Sequence, residues 1–222
     1  SCNTVSDDII INFTPSPTII FDPSSSNDVC ANNNEINLSA FLTVVTGGTW
    51  SGGLGSFSGG ATGLLNNIYT PTAQEVLDGT VTLTLTTTTG IGNCTAVSSD
   101  VTVTILPAPI VTATTPTTNK CANNASVPLT GSVTTPSGTP GIGVWTTTGS
   151  GQFLPNASIS NPSYVPHPND ISNGSVVLTY TSMFSSPCLE ESAQLTINFF
   201  PAPTVLVGTN PLSVCETMRK LF

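Results

Sequence analysis

The sequence predicts an all-β protein made of tandem sandwich units, on three observations. The 222 residues include 19 Gly and 18 Pro with a dense scatter of Thr, Ser and Asn and few Glu, Lys or Arg, the composition of short strands joined by turns. Apolar and polar residues alternate in Val81-Thr82-Leu83-Thr84-Leu85 and in Val101-Thr102-Val103-Thr104-Ile105, the two-residue period of a strand with one face on a core. Most of the chain also repeats itself, at a period of 91 to 95 residues.

The repeat sets the organisation. The stretch from Cys30 to Pro109 lies over the stretch from Cys121 to Pro203, and both open with Cys-Ala-Asn-Asn. Each then carries a Leu (Leu38, Leu129), a Trp (Trp50, Trp145), a Phe (Phe57, Phe153), a Tyr-x-Pro (Tyr69 to Pro71, Tyr164 to Pro166) and Asp78-Gly79 or Asn173-Gly174. A long alternating strand, a second Cys (Cys94, Cys188), another strand and Pro-Ala-Pro complete each copy. Cys2 stands 92 residues before Cys94, so residues 1–17 read as the C-terminal strand of a preceding repeat, with the strand itself near Asp8 to Thr14. Residues 18–109 and 110–203 read as two whole units, and 204–222, with Cys215, as the start of a further unit or an atypical tail.

Within the first unit, strands are expected at Thr18 to Phe21 and near 36–45, 47–51, 66–70, 80–88 and 99–106. Their counterparts are Ile110 to Ala113 and regions near 126–133, 143–147, 162–165, 175–182 and 193–200. Asp78-Gly79 and Asn173-Gly174 place a glycine with positive φ just before a long strand. Trp50 and Trp145, with Tyr69 and Tyr164, are the expected core aromatics, the tryptophans on the third strand between two sheets. Pro107-Ala108-Pro109 and Pro201-Ala202-Pro203 are extended linkers without free backbone donors at Pro, suited to holding units end to end. Unit size and turn spacing are those of an immunoglobulin-like sandwich.

These features, Cys-x-Asn-x(5)-Leu, a single Trp, Tyr-x-Pro, Asp/Asn-Gly before a strand, a second Cys and a terminal Pro-Ala-Pro, resemble the tandem PKD-like or Ig-like repeats of large cell-surface proteins of Bacteroidota. Many of those are adhesins or gliding-associated proteins exported by the type IX system. The resemblance implies a β-sandwich fold, a cell-surface location and a stalk or adhesive role, and it carries no catalytic residue across.

Six Cys without a Cys-x-x-Cys pair and with a single His argue for disulfides, hence for an oxidising compartment outside the cytoplasm. Six thiols allow fifteen connectivities, of which three stand out. Bonds inside units, Cys30–Cys94 and Cys121–Cys188, leave Cys2 and Cys215 for outside partners, but they would span the length of an ordinary sandwich. A bond across the junction, Cys30–Cys188, joins ends that the same topology brings close. Sequential pairing, Cys2–Cys30, Cys94–Cys121 and Cys188–Cys215, requires each linker to fold back.

Chemistry is sparse. Lys and Arg total 3 against 12 acidic residues, a net charge of −9, which leaves no basic surface for nucleic acid. No apolar run reaches the ~18 to 20 residues of a membrane-spanning helix. His167 sits between two prolines and has Thr72 as its counterpart, so an exposed loop residue is expected rather than a general base. The glycines of Gly52-Gly53-Leu54-Gly55 lack both the Lys of a phosphate loop and dinucleotide spacing. Enzymatic activity is therefore not expected. Junctional Ca²⁺ is the one cofactor considered, through Asp7-Asp8, Asp22 with Asp28, or Glu190-Glu191, though no Asp-x-Asp-x-Asp-Gly loop exists. The functional expectation is a structural or adhesive segment of an extracellular filament or adhesin stalk, with neighbouring repeats, self-association into fibres and a surface glycan or host ligand as the partners considered. The alternative is a carbohydrate-binding or spacer module of a secreted enzyme, which would need a row of exposed aromatics.

Overall fold

Strands form where the alternation and the β-branched residues lie, and they assemble into two sandwiches of the same design. A computed structural model describes residues 1–23, 28–62, 65–88, 94–183 and 187–205. In the first sandwich, β1 (Thr18–Phe21) pairs antiparallel with β4 (Ala40–Thr43). β3 (Ile36–Leu38) pairs with β7 (Asn67–Thr70), which also pairs with β6 (Ser56–Phe57). The opposing sheet has the order β2 (Val29–Cys30), β9 (Ser98–Leu106), β8 (Thr80–Thr87), β5 (Gly48–Gly52), with β2 parallel to β9.

The second sandwich repeats this. β10 (Ile110–Thr114) pairs with β13 (Thr130–Thr134), and β12 (Val127–Pro128) with β16 (Ser163–Val165) and through it β15 (Gln152–Leu154). The facing sheet runs β11 (Asn119–Cys121), β18 (Ser192–Phe200), β17 (Ser175–Ser182), β14 (Gly143–Thr147), with β11 parallel to β18. Facing sheets in this order, antiparallel except for the β2–β9 and β11–β18 edges, are the arrangement of an immunoglobulin-like sandwich.

Each core lies between the two sheets. Trp50 on β5 and Trp145 on β14 are each 1% exposed. Trp50 stacks on Phe21 with ring centroids 5.8 Å apart, and Trp145 meets Tyr180 at 4.9 Å and Phe153 at 6.3 Å. The two cores differ by a complementary exchange: Ala40 and Leu85 in the first unit correspond to Gly131 and Tyr180 in the second. A Cβ on Gly131 would stand 2.6 Å from the Tyr180 ring, so the larger aromatic is accommodated by removal of the facing methyl.

The structure departs from the expected elements: it adds the short strands β2, β6, β11 and β15, and it divides the strand expected over 126–133 into β12 and β13. The strand expected over 36–45 is divided at Ser39, whose carbonyl accepts from the Asp22 N–H at 2.9 Å, so β3 and β4 serve different partners. Two short helices, α1 (Ala73–Asp78) and α2 (Pro168–Ser172), precede Gly79 and Gly174, whose φ values of 76° and 80° turn the chain into β8 and β17. Residues 1–17 form no strand, although Ile9, Ile11 and Phe13 occupy the positions of the buried Val101, Val103 and Ile105; they are 87%, 67% and 92% exposed. Each sandwich already contains its own last strand, and a further strand has no sheet here to supply its hydrogen bonds. Cys215 and the rest of 206–222 lie outside the described residues. No helix among the described residues is long and apolar enough to cross a membrane.

Candidate functional site

The functional geometry lies where one sandwich meets the next. β2 ends at Cys30 beside the point where β9 leaves the first unit, with Cys30 Sγ 3.6 Å from the Pro107 carbonyl oxygen. Cys188, just before β18, reaches this end of the first unit and is bonded to Cys30, with the two Cα atoms 4.9 Å apart. Cys30 is fully buried and Cys188 is 7% exposed.

The residues after Cys30 complete the joint. The Asn32 Nδ2 donates to the Leu189 carbonyl at 3.1 Å and to Glu191 Oε1 at 2.8 Å, while its Oδ1 accepts from the Leu189 N–H at 3.2 Å. Asn33 Nδ2 donates to the Pro187 carbonyl at 3.0 Å. Three of these four bonds go to backbone, so the Cys-Ala-Asn-Asn segment reads the path of the incoming loop more than its side chains. Pro109, in the linker, is buried at the same boundary. A disulfide and an asparagine clamp therefore join the two units, and a bond of this kind belongs to an oxidising compartment.

This geometry corrects two of the pairing schemes. Cys30 does not bond Cys94, and Cys188 bonds neither Cys121 nor Cys215, because Cys30 and Cys188 are bonded to each other. The physical reason is the sandwich length. Cys94 lies at the far end of the first unit, its Sγ 3.7 Å from the Thr14 carbonyl oxygen, and cannot come within disulfide distance of Cys30. Cys2 and Cys121 are exposed and Cys94 is partly exposed, and these three carry no disulfide among the described residues, which excludes the Cys94–Cys121 and Cys2–Cys30 bonds.

A second constellation occurs once in each unit. The Tyr69 hydroxyl donates to Glu75 Oε1 at 2.7 Å, and Glu75 also accepts from the Leu54 N–H at 2.8 Å, the Thr72 N–H at 2.8 Å and the Thr72 hydroxyl at 2.9 Å. In the second unit the Tyr164 hydroxyl donates to Asp170 at 2.7 Å, and Asp170 accepts from the N–H groups of Ser150, Gly151 and His167 at 2.8, 3.0 and 2.9 Å. Both carboxylates are buried. Burial pushes them upward, but the converging backbone and tyrosine donors outweigh it and hold both below the ordinary carboxylate range. Burial, with the neighbouring carboxylate, pushes the Tyr69 hydroxyl up to about 12, and burial also raises Tyr164.

The tyrosine oxygens accept as well, from the Gly55 N–H at 2.6 Å and the Gly151 N–H at 3.2 Å. A Cβ on Gly55 would lie 2.9 Å from that hydroxyl and 2.1 Å from the Thr70 carbonyl, so only glycine brings its backbone this close. The Gly-rich loop thus closes over a buried tyrosine, its backbone N–H groups serving the tyrosine and the carboxylate. His167 is exposed and caps α2, its Nδ1 accepting from the Asn169 N–H at 3.2 Å, the role that Thr72 fills for α1.

Sequence reasoning singled out the tyrosines and missed Glu75, Asp170, Asn32 and Asn33 as working residues. Thr72-x-x-Glu75 has the spacing of a capping box, and the repeat places Asp170 opposite Glu75. Among the described residues no three His, Cys, Asp or Glu side chains gather as a metal site would require. Of the exposed phenylalanines among the described residues, Phe41 lies on β4, Phe200 on β18 of the other unit, and Phe13 outside any strand, so no strand presents two of them.

No family model matches the chain, and no curated protein matches it. Among solved structures it is similar to the D00-D0 domain of Intimin, at 11% identity and a TM-score of 0.41 over 83% of this chain and 99% of that one. It is similar also to Drosophila N-cadherin EC1-4, at 14% identity, a TM-score of 0.38 and coverage of 85% of this chain and 50% of that one. The insect immune protein hemolin is a third, at 9% identity, a TM-score of 0.40 and coverage of 86% and 49%. The chain spans about half the length of the latter two.

Proposed function

We propose that the chain is a load-bearing segment of an extracellular filament or adhesin stalk on a cell surface, built from tandem units whose junctions are covalently braced. The observation that carries this reading is the Cys30–Cys188 bond with its asparagine clamp, which ties the exit of one sandwich to the entrance of the next. A flexible spacer needs no such bond, whereas a rod that must keep its direction gains stiffness from a second covalent connection beside the linker. The units 18–109 and 110–203 are the repeating elements of this reading. Binding to a glycan or a host protein is not required for this role.

Small-angle scattering tests the reading. The oxidised chain is expected to give one narrow end-to-end distribution, with both units in a fixed relative orientation. The Cys30→Ser/Cys188→Ser variant is expected to broaden that distribution while the circular dichroism of each sandwich stays unchanged. Equal breadth for the two proteins would defeat the rod.

A further inference from the structure

The end of the second unit repeats the surface that the end of the first unit uses to hold its neighbour, and no other described residue is bonded to its cysteine. Cys121-Ala122-Asn123-Asn124 is identical in sequence to the clamp Cys30-Ala31-Asn32-Asn33. The strand pairing beside it is the same: β2 pairs parallel with β9 through Cys30 and Leu106, and β11 pairs parallel with β18 through Cys121 and Phe200, although Cys30 bridges Asn33 where Ala122–Asn124 forms a turn of 3-10 helix. A groove of about 490 Å³ opens beside Cys121, lined by Asn119, Lys120, Asn123, Asn124 and Pro203.

Burial distinguishes the two ends. Cys30 is buried in its bond to Cys188, whereas its counterpart Cys121 is exposed. Leu106 is half-buried, whereas Phe200 in the equivalent position is 51% exposed, a large apolar side chain beside an unbonded thiol. The far end shows the complementary half. Cys94 Sγ lies 3.7 Å from the Thr14 carbonyl oxygen and 3.9 Å from that of Pro15, and these residues correspond to Leu106 and Pro107. Cys94 therefore stands against a preceding linker in the way the Cys30–Cys188 bridge stands against Pro107.

We propose that the groove at Cys121 is the acceptor for the cysteine-bearing loop of another unit of this same repeat, held by Asn123 and Asn124 and bonded through Cys121. The choice of partner rests on the tandem-unit reading above. The occupant is argued from the occupied copy: the clamp addresses mainly the backbone of residues 187–189, so any unit presenting the same loop path satisfies it. The Asn32 contact to Glu191 is the exception, since Val97 stands at that position in the first unit. Bond formation takes the two thiols to a disulfide, their two electrons and two protons passing to the disulfide of an external oxidant, which becomes two thiols. Repeated at each boundary, bonds from the first cysteine of one unit to the second cysteine of the next overlap into a continuous covalent brace.

The test uses the oxidised 222-residue chain and a synthetic peptide of residues 187–195, its cysteine activated as the thionitrobenzoate mixed disulfide. The attacking protein thiolate forms the new S–S bond, the old one breaks, and thionitrobenzoate leaves with the electron pair. Sites are read by mass spectrometry, with rates normalised to a small activated disulfide. The expected result is about ten-fold faster capture at Cys121 than at Cys2, lost with a peptide N-methylated at Leu189, which removes the N–H that the asparagine accepts, and lost in the Asn123→Ala/Asn124→Ala variant. No preference for Cys121, or a preference that survives both changes, would overturn the acceptor site. Because the scattering experiment reads only the Cys30–Cys188 junction, failure here with a rigid pair there removes this site and leaves the rod intact.

Discussion

Stretched between its ends, the oxidised chain will lengthen by roughly 500 Å less than the same chain after reduction, because the Cys30–Cys188 bond closes a loop with a sequence separation of 158 at ~3.3 to 3.6 Å per extended residue. The loop contains everything from β3 to β17, hence most of both cores. Force applied at the ends passes through the disulfide, and only segments outside the loop, β1 on one side and β18 on the other, can be peeled away. In chain-entropy terms a loop this long also restricts the unfolded state by about 5 kcal/mol, so thermal stability should fall on reduction. Force spectroscopy of oxidised, reduced and Cys30→Ser/Cys188→Ser protein reads the difference directly. The last two should coincide, and equal extension in all three would mean that the bond carries no load.

Replacing Asp170 or Glu75 by Ala should destabilise the affected sandwich by about 3 to 5 kcal/mol, the largest single-residue effect outside the tryptophans. Removal of Asp170 leaves the Tyr164 hydroxyl and the N–H groups of Ser150, Gly151 and His167 without their acceptor in a buried setting. The same network makes stability depend on pH at both extremes. Both carboxylates titrate lower in the folded chain than unfolded, so their stabilisation is complete above the unfolded value near ~4 and is lost as pH falls through the folded values. Tyr69 has the opposite sign: its folded value of about 12 exceeds the ordinary 10.0, so its contribution is complete below pH 10 and is lost as pH rises toward 12. Absorbance titration of the native protein should show no tyrosine ionising at its ordinary pH, since all three tyrosines are raised. A normal titration would contradict the buried network.

The long alternating runs made β8, β9, β17 and β18 legible, because a half-buried strand writes its two-residue period into the sequence. Trp50 and Trp145 could be placed by the repeat alone. The helices α1 and α2 could not, since five or six residues are too few to show a helical period. The division of the second strand at Ser39 depends on which sheet each half joins, and that is decided by partners distant in sequence. The carboxylates escaped notice for a different reason. In the second unit the cap is His167 with Asp170 rather than Thr72 with Glu75, which hides the shared role behind four different residues. Disulfide pairing was the hardest to read, because Cys30 and Cys188 belong to different units and only the end-to-end arrangement brings them together.

The account rests on a covalent bond across the junction, and a non-reducing peptide map by mass spectrometry tests it most directly. The account predicts a linked pair of peptides containing Cys30 and Cys188, which disappears on reduction. A linked pair containing Cys30 and Cys94, or Cys30 and Cys188 both recovered as free thiols, would contradict it.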